Sequence, residues 1–199
     1  MKRVGIFGGT FSPPHVGHVE AARAFVSAMK LDELLIIPTF SPPHKVFNHE
    51  ASTDERLEMC RLAFRSIDVA TVSDIEIARG GKSYTYLTLE ELKNDDAELY
   101  FLCGTDMFIT LDKWRLPERI FELANICCVR RENDEDAENA IKTQAEIYKN
   151  QYNAKLHFIT HDAVEISSSQ LRDELARGVS SKLLLPEVLE YIESRGLYQ

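Results

Sequence analysis

Short apolar runs alternate with amphipathic segments along the whole chain. Val4–Phe7 reads as a buried strand, and Leu34–Ile37 as a second, stopped by Pro38. Between them, Val16, Val19, Ala22, Phe25, Val26 and Met29 recur at the three-to-four spacing of one helical face, which predicts a helix over Val16–Met29. Ser52-Thr53-Asp54-Glu55 fits a capping box and opens a helix to about Arg65. Val69–Ile77 alternates like a strand. A glycine loop at Gly80-Gly81-Lys82 precedes a helix over about Tyr84–Lys93.

The second half repeats the pattern. Strands are predicted at Leu99–Cys103, Asn125–Val129 and Leu156–Thr160. Helices are predicted at about Met107–Leu111, Pro117–Leu123, Ala137–Asn150, Ser168–Arg177 and Pro186–Ser194. Gly178 suits the C′ position of one helix, and Pro186 the first position of another. Strand–helix alternation of this kind implies an α/β fold: a mostly parallel sheet with helices on both faces. Ligands of such sheets bind beyond the carboxyl ends of the strands. The segments to watch are therefore Gly8–His15, Pro38–Lys45, Arg79–Ser83, Gly104–Asp106, Arg130–Asp136 and Asp162–Ser169.

Composition narrows the class. The 199 residues suit one sizeable domain, read here as 1–199 with a helical part from about residue 167. No apolar run reaches the length of a membrane span, and no signal peptide precedes the first strand, so a cytoplasmic protein is expected. A net charge of −9 argues against broad nucleic-acid binding but allows a small basic phosphate pocket. Cys60, Cys103, Cys127 and Cys128 form no C-x-x-C pair and read as buried thiols. Small enzymes often form homodimers, though no interface motif stands out.

The densest chemistry lies in GIFGGTFSPPHVGH, Gly5–His18. Gly8 and Gly9 allow a tight turn and close backbone approach to a ligand. His15 and His18, three apart, share a face of the first helical turn. Free N–H groups and the positive end of the helix dipole favour an anion there, and two imidazoles would add donors. Gly17 removes side-chain bulk at the same place. Metal binding is a weak rival, because no further ligand accompanies the pair. Elsewhere, Ser167 and Gln170 fit a capping box, and Arg172 follows on the same helix, a combination that also suits phosphate. Trp114, the single tryptophan, reads by itself as a packing aromatic, Asp106 as a helix cap and Lys45 as an exposed lysine.

GGTFSPPHVGH resembles the signature of the H-x-G-H nucleotidyltransferases, and in this feature is similar to the class I aminoacyl-tRNA synthetases. Four further stretches narrow the resemblance: PTFSPPHK (38–45), GGKSYTYLTL (80–89), GTDMFITLDKW (104–114) and ISSSQLR (166–172). They occur in the order expected of bacterial nicotinate mononucleotide adenylyltransferases. The closing LLPEVLEYIESRGLY is similar to that family as well, so the resemblance spans nearly the whole chain.

The resemblance implies a Rossmann-like, doubly wound nucleotidyltransferase fold. It also implies transfer of AMP from ATP to nicotinate mononucleotide, with Mg²⁺ bound alongside ATP and pyrophosphate released. The ATP contacts it implies are Gly8, Gly9, Thr10, Phe11, His15, Gly17, His18, Ile166, Ser167, Ser168 and Arg172. Those to the mononucleotide are Lys45, Tyr84, Thr85, Gly104, Asp106 and Trp114. His15, His18, Lys45 and Arg172 are the catalytic candidates, with His18 nearer the α-phosphate. Trp114 is expected to stack on the pyridine ring, and backbone N–H groups at Tyr84-Thr85 to meet its carboxylate.

The chain departs from the family pattern twice. Ser12 and Leu87 stand where an aspartate is usual. Three rival readings remain open at this point: another phosphate acceptor, a nucleotide-binding relative without turnover, and an RNA-binding relative of the synthetases. The attacking phosphate monoester has a second pKa of about 6 and is largely dianionic at neutral pH, so the main reading needs no strong general base. Positioning and charge neutralisation would carry catalysis.

Overall fold

The protein's structure, a computed structural model, describes residues 1–42, 51–130, 135–160, 167–179 and 181–199. Lys45 and Ile166 lie outside the described residues, as do the side chains of 135–137. Six strands make one sheet in the order β3-β2-β1-β4-β5-β6: β1 (Lys2–Gly9), β2 (Glu33–Pro38), β3 (Ala70–Val72), β4 (Ala97–Gly104), β5 (Ala124–Arg130) and β6 (Leu156–Thr160). All five pairings are parallel. The helices are α1 (Val16–Met29), α2 (Thr53–Phe64), α3 (Ile75–Arg79), α4 (Thr85–Leu92), α5 (Thr105–Phe108), α6 (Pro117–Leu123), α7 (Glu135–Tyr152), α8 (Ser168–Ala176) and α9 (Pro186–Arg195). A 3₁₀ turn at Leu111–Lys113 lies between α5 and α6.

The strand order reverses at β1, whose chain goes first to β2 and later returns to β4 on its other edge. Such a switch point opens a crevice between the loops after the two strands. Period-two alternation divides the buried residues between two layers. Along β4, Leu99, Phe101 and Cys103 face α4–α7, whereas Tyr100 and Leu102 face α1, α2, α8 and α9. Adjacent Cys127 and Cys128 enter opposite layers. All four thiols are free and buried. Burial pushes the Cys127 thiol up to about 12 and the Cys60 thiol well above its usual range.

Two local predictions shift. The strand expected over Val69–Ile77 ends at Val72, and Ile75–Arg79 is helical. Ser73 and Asp74 interrupt it, being residues that favour turns and helix starts over a ladder. The helix expected over Met107–Leu111 divides into α5 and the 3₁₀ turn. Tyr148 of α7 holds this stretch: its hydroxyl donates to the Phe108 carbonyl at 2.6 Å and accepts from the Asp112 N–H at 3.2 Å. No helix among the described residues is long and apolar enough to cross a membrane.

Gly5 permits the close stacking of α1 and β2 on the first strand. A methyl group there would sit 2.3 Å from Leu31 Cδ1 and 2.9 Å from Phe25 Cε1, both in the core. Gly5→Ala should therefore cost about 1–3 kcal/mol through overpacking. A lowered urea midpoint with an unchanged slope would register it.

Candidate active site

The site is built around the loop between β1 and α1. Residues 11 to 15 lie outside regular structure, yet all are buried. Phe11 takes a left-handed conformation (φ 49°), an unfavourable one for a bulky residue. The turn carries its ring back over Gly9, where an added Cβ would lie only 3.0 Å from the ring. The ring then meets Phe7, Phe64 and His18 at centroid distances of 5.3, 5.7 and 5.1 Å. Gly9 thus leaves room for the aromatic that props His18.

His15 is the N-cap of α1, and its ring lies 3.8 Å from that of His18. The His15 backbone N–H donates to Nδ1 of His18 at 3.2 Å. That bond selects the tautomer of His18 with the proton on Nε2, leaving Nε2–H as its donor. Burial pushes the His15 pKa down to about 4. His18 also falls well below its usual value, through burial first and the neighbouring His15 second. Both rings are neutral donors at pH 7. Nδ1 of His15 is buried and has no hydrogen-bond partner among the described residues.

The helix N-terminus is less open than its sequence implies. The Val16 N–H is taken by the Leu183 carbonyl at 3.0 Å, and the His18 N–H by that of His15 at 2.9 Å. Two of the first three N–H groups of α1 are thus occupied, so more of any anion binding falls to the imidazoles.

Side chains from distant elements hold the loop. Arg56 of α2 is fully buried; Nη1 donates to the Thr10 carbonyl at 2.9 Å and Nη2 to the Thr39 carbonyl at 2.7 Å. One guanidinium therefore ties together the loops after β1 and β2. Burial lowers its pKa from the ordinary value, and among the described residues no carboxylate pairs with it. Arg56 was missed by the sequence analysis, although it shares a helical face with the buried Cys60 and Ala63.

From the other side, Arg172 Nη1 donates to the Ser12 carbonyl at 2.7 Å, and the Ser168 hydroxyl to that of Pro13 at 2.9 Å. The capping box at Ser167 forms: its Oγ accepts from the Gln170 N–H, and Gln170 Oε1 from the Ser167 N–H. The head of α8 therefore abuts the histidine loop. Ser12, whose role the sequence left open, shares a buried 2.9 Å hydrogen bond with the Tyr198 hydroxyl.

A cavity of about 310 Å³ opens on the other flank of the same loop. Gly8, Gly9 and Thr10 form one wall; Tyr84, Thr85 and Trp114 are among those opposite. Trp114 packs edge-on against Phe101 and leaves one side toward the cavity. The Tyr84 N–H, expected to face a carboxylate, donates to the Lys82 carbonyl at 2.9 Å. Thr85, the first residue of α4, also lines the cavity. Consecutive positive φ values at Gly80 and Gly81 make the turn that brings Tyr84 and Thr85 here.

Ser83 fastens this loop to the one after β2, its Oγ accepting from the N–H groups of Phe40 and Ser41. Gly104 and Asp106 do not line the cavity; both are exposed, and Asp106 sits in the first turn of α5 without capping it. Near Leu87, the acid at the cavity is Glu76, buried on α3 and accepting from the Thr88 hydroxyl at 2.6 Å. The strand expected over this stretch hid it. Among the described residues, no group of three His, Cys, Asp or Glu could hold a metal ion.

Known proteins share this architecture. The cytidylyltransferase-like family model matches residues 6–174. A protein of Desulfatibacillum aliphaticivorans, named a probable nicotinate-nucleotide adenylyltransferase, is 35% identical over 98% of this chain and 99% of its own. One of the same name from Shouchella clausii is 37% identical over 100% and 97%. The solved Plasmodium falciparum nicotinic acid mononucleotide adenylyltransferase, complexed with NaAD, is similar in fold. Its TM-score is 0.75 at 19% identity, covering 100% of this chain and 98% of that one.

The histidine pair makes stability depend on pH. Between about 4 and 6.5 the unfolded chain binds a proton at His15 that the folded chain does not, so stability is full above 6.5 and falls as pH drops toward 4. The share from His15 is about 3 kcal/mol. Urea unfolding of wild type and His15→Asn across this window should show a shallower slope in the variant.

Proposed function

Because the chain belongs to the cytidylyltransferase-like family, and there to the nicotinate-nucleotide adenylyltransferases, we propose that it joins the AMP part of ATP to nicotinate mononucleotide. One observation carries this reading: a single loop forms a wall of the 310 Å³ cavity and is bonded to the head of α8. Two phosphate-bearing substrates seated on its two flanks would meet over His15 and His18.

In the reaction, an oxygen of the mononucleotide's phosphate forms a bond to the α-phosphorus of ATP while the bond to pyrophosphate breaks. The dianionic nucleophile needs no base. Neutral histidines suit that chemistry, since they donate hydrogen bonds without having to surrender or take a proton. Nε2–H of His18 is the donor to the α-phosphate, where it acts by preorganised electrostatics. Arg172 and Lys45 offset charge on the triphosphate. Ser167 and Ser168, with Ile166 and Gly17, frame the adenylate side, with Phe11 behind His18. Trp114 stacks on the pyridine and Thr85 receives its carboxylate, while Gly104 and Asp106, outside the cavity lining, are the candidates for the ribose.

Bound alongside ATP, Mg²⁺ would supply charge neutralisation on the phosphates. Among the described residues no acidic cluster is placed to hold the ion by itself, and Arg172 is the described side chain that would share its charge-neutralising part on the triphosphate. The chain acts as one nucleotidyltransferase domain in the cytoplasm. Its part from about residue 167 completes the ATP side.

Pyrophosphate release tests the reading, with ATP, Mg²⁺ and either nicotinate or nicotinamide mononucleotide. Nicotinate should be preferred clearly; release with neither would overturn it. In the same assay, His18→Ala should lower turnover about 10²–10³-fold, with its circular dichroism unchanged. Near-normal turnover would remove His18 from the reaction.

A further inference from the structure

Ser12 is held twice. Its carbonyl accepts from Arg172 and its hydroxyl bonds Tyr198, partners 160 and 186 residues away in the chain. It lies three residues before His15, in a loop buried from end to end. Tyr198, beyond α9, is 3% exposed and belongs to the core layer that contains Phe11, Val19 and Phe64. Its φ of 61° is left-handed, a conformation that costs an ordinary residue about 1 kcal/mol. Strained backbone of this kind persists only where the surroundings hold it, and it clusters at functional sites. The Arg56 guanidinium grips the Thr10 carbonyl two residues before Ser12. Tyr198, Arg56, Arg172 and Ser168 thus hold residues 10, 12 and 13 of the stretch that leads to His15.

We propose that Tyr198 is a positioning residue for adenylyl transfer: through the Ser12 hydroxyl it sets the height of the β1–α1 loop, and so aims His15 and His18 at the triphosphate. This rests on the function proposed above. A hydroxyl contact inside a rigid core locates a loop better than apolar packing does, because a hydrogen bond has a direction and a fixed length. The bond touches neither the 310 Å³ cavity nor Thr85 and Trp114. Its loss should therefore be felt on the ATP side alone.

The test compares Tyr198→Phe, Ser12→Ala and the double variant. Tyr198→Phe keeps the buried ring and removes one oxygen. Ser12→Ala breaks the same bond from the loop side, should the first variant fail to fold. Each single variant should lower kcat about tenfold, the scale of one buried hydrogen bond. KM for nicotinate mononucleotide should stay within about twofold, a split that general destabilisation would not produce. The double variant should be no worse than either single one. Unchanged kcat in a folded single variant, losses that multiply in the double, or an equal rise in KM for the mononucleotide would each overturn the role.

Titration of each protein with Mg-ATP alone separates this idea from the functional reading. ATP should bind about five- to tenfold more weakly to Tyr198→Phe, whether or not the wild type turns over the mononucleotide. Equal affinity would sink the positioning role, and a wild type that binds ATP without turnover would sink the functional reading instead.

Discussion

An irregular backbone lies buried at the centre of this protein, and its polar groups must be satisfied without a strand or helix to do it. Residues 11 to 15 are inside, so their carbonyls cannot rely on bulk water. Arg56, Arg172 and Ser168 supply donors to Thr10, Ser12 and Pro13. These bonds explain how a buried arginine can stand without a carboxylate among the described residues: it makes the charge-assisted bonds to carbonyls that a neutral donor could make only more weakly. They also fix the segment before the α1 helix at Thr10, Ser12 and Pro13, which sets the position from which His15 and His18 start.

The electrostatics of the candidate site follow from the same burial. A chain of net charge −9 must receive a triphosphate. The two histidine rings are neutral, because both are buried and because two charged rings 3.8 Å apart in so poorly solvated a place would repel each other; neutral donors are what the proposed function asks of them. The hydrogen bond from the His15 backbone settles the tautomer of His18 before any ligand arrives. Preorganised donors of this kind need not rearrange when charge develops. The cavity is lined in part by Gly8, Gly9 and Thr10, which lead into the histidine loop.

Ser12 and Leu87, where the chain departs from its relatives' pattern, have different physical consequences. Ser12 keeps a hydrogen-bonding side chain and uses it on Tyr198. Leu87 brings no polar group, and the carboxylate at that end of the cavity belongs to Glu76 on a separate helix. The acid was legible only as an alternating residue in an apparent strand. Its helix is short, and Ser73-Asp74 rather than any periodicity starts it.

Local patterns by themselves determined the elements and their order. The helical spacing of Val16–Met29 and the capping boxes at Ser52 and Ser167 stand in the structure as read, because each depends on neighbours within a turn. The alternation that sends Cys127 and Cys128 to opposite faces is equally local. Only the tertiary structure decided which donors remained free and which residues held the loop. Leu183 occupies the Val16 N–H, Lys82 that of Tyr84, and Arg56, Arg172 and Tyr198 reach the loop from 46 to 186 residues away. No spacing rule encodes such contacts. They exist because folding buries unsatisfied polar groups, and the nearest partners in space come from anywhere in the chain.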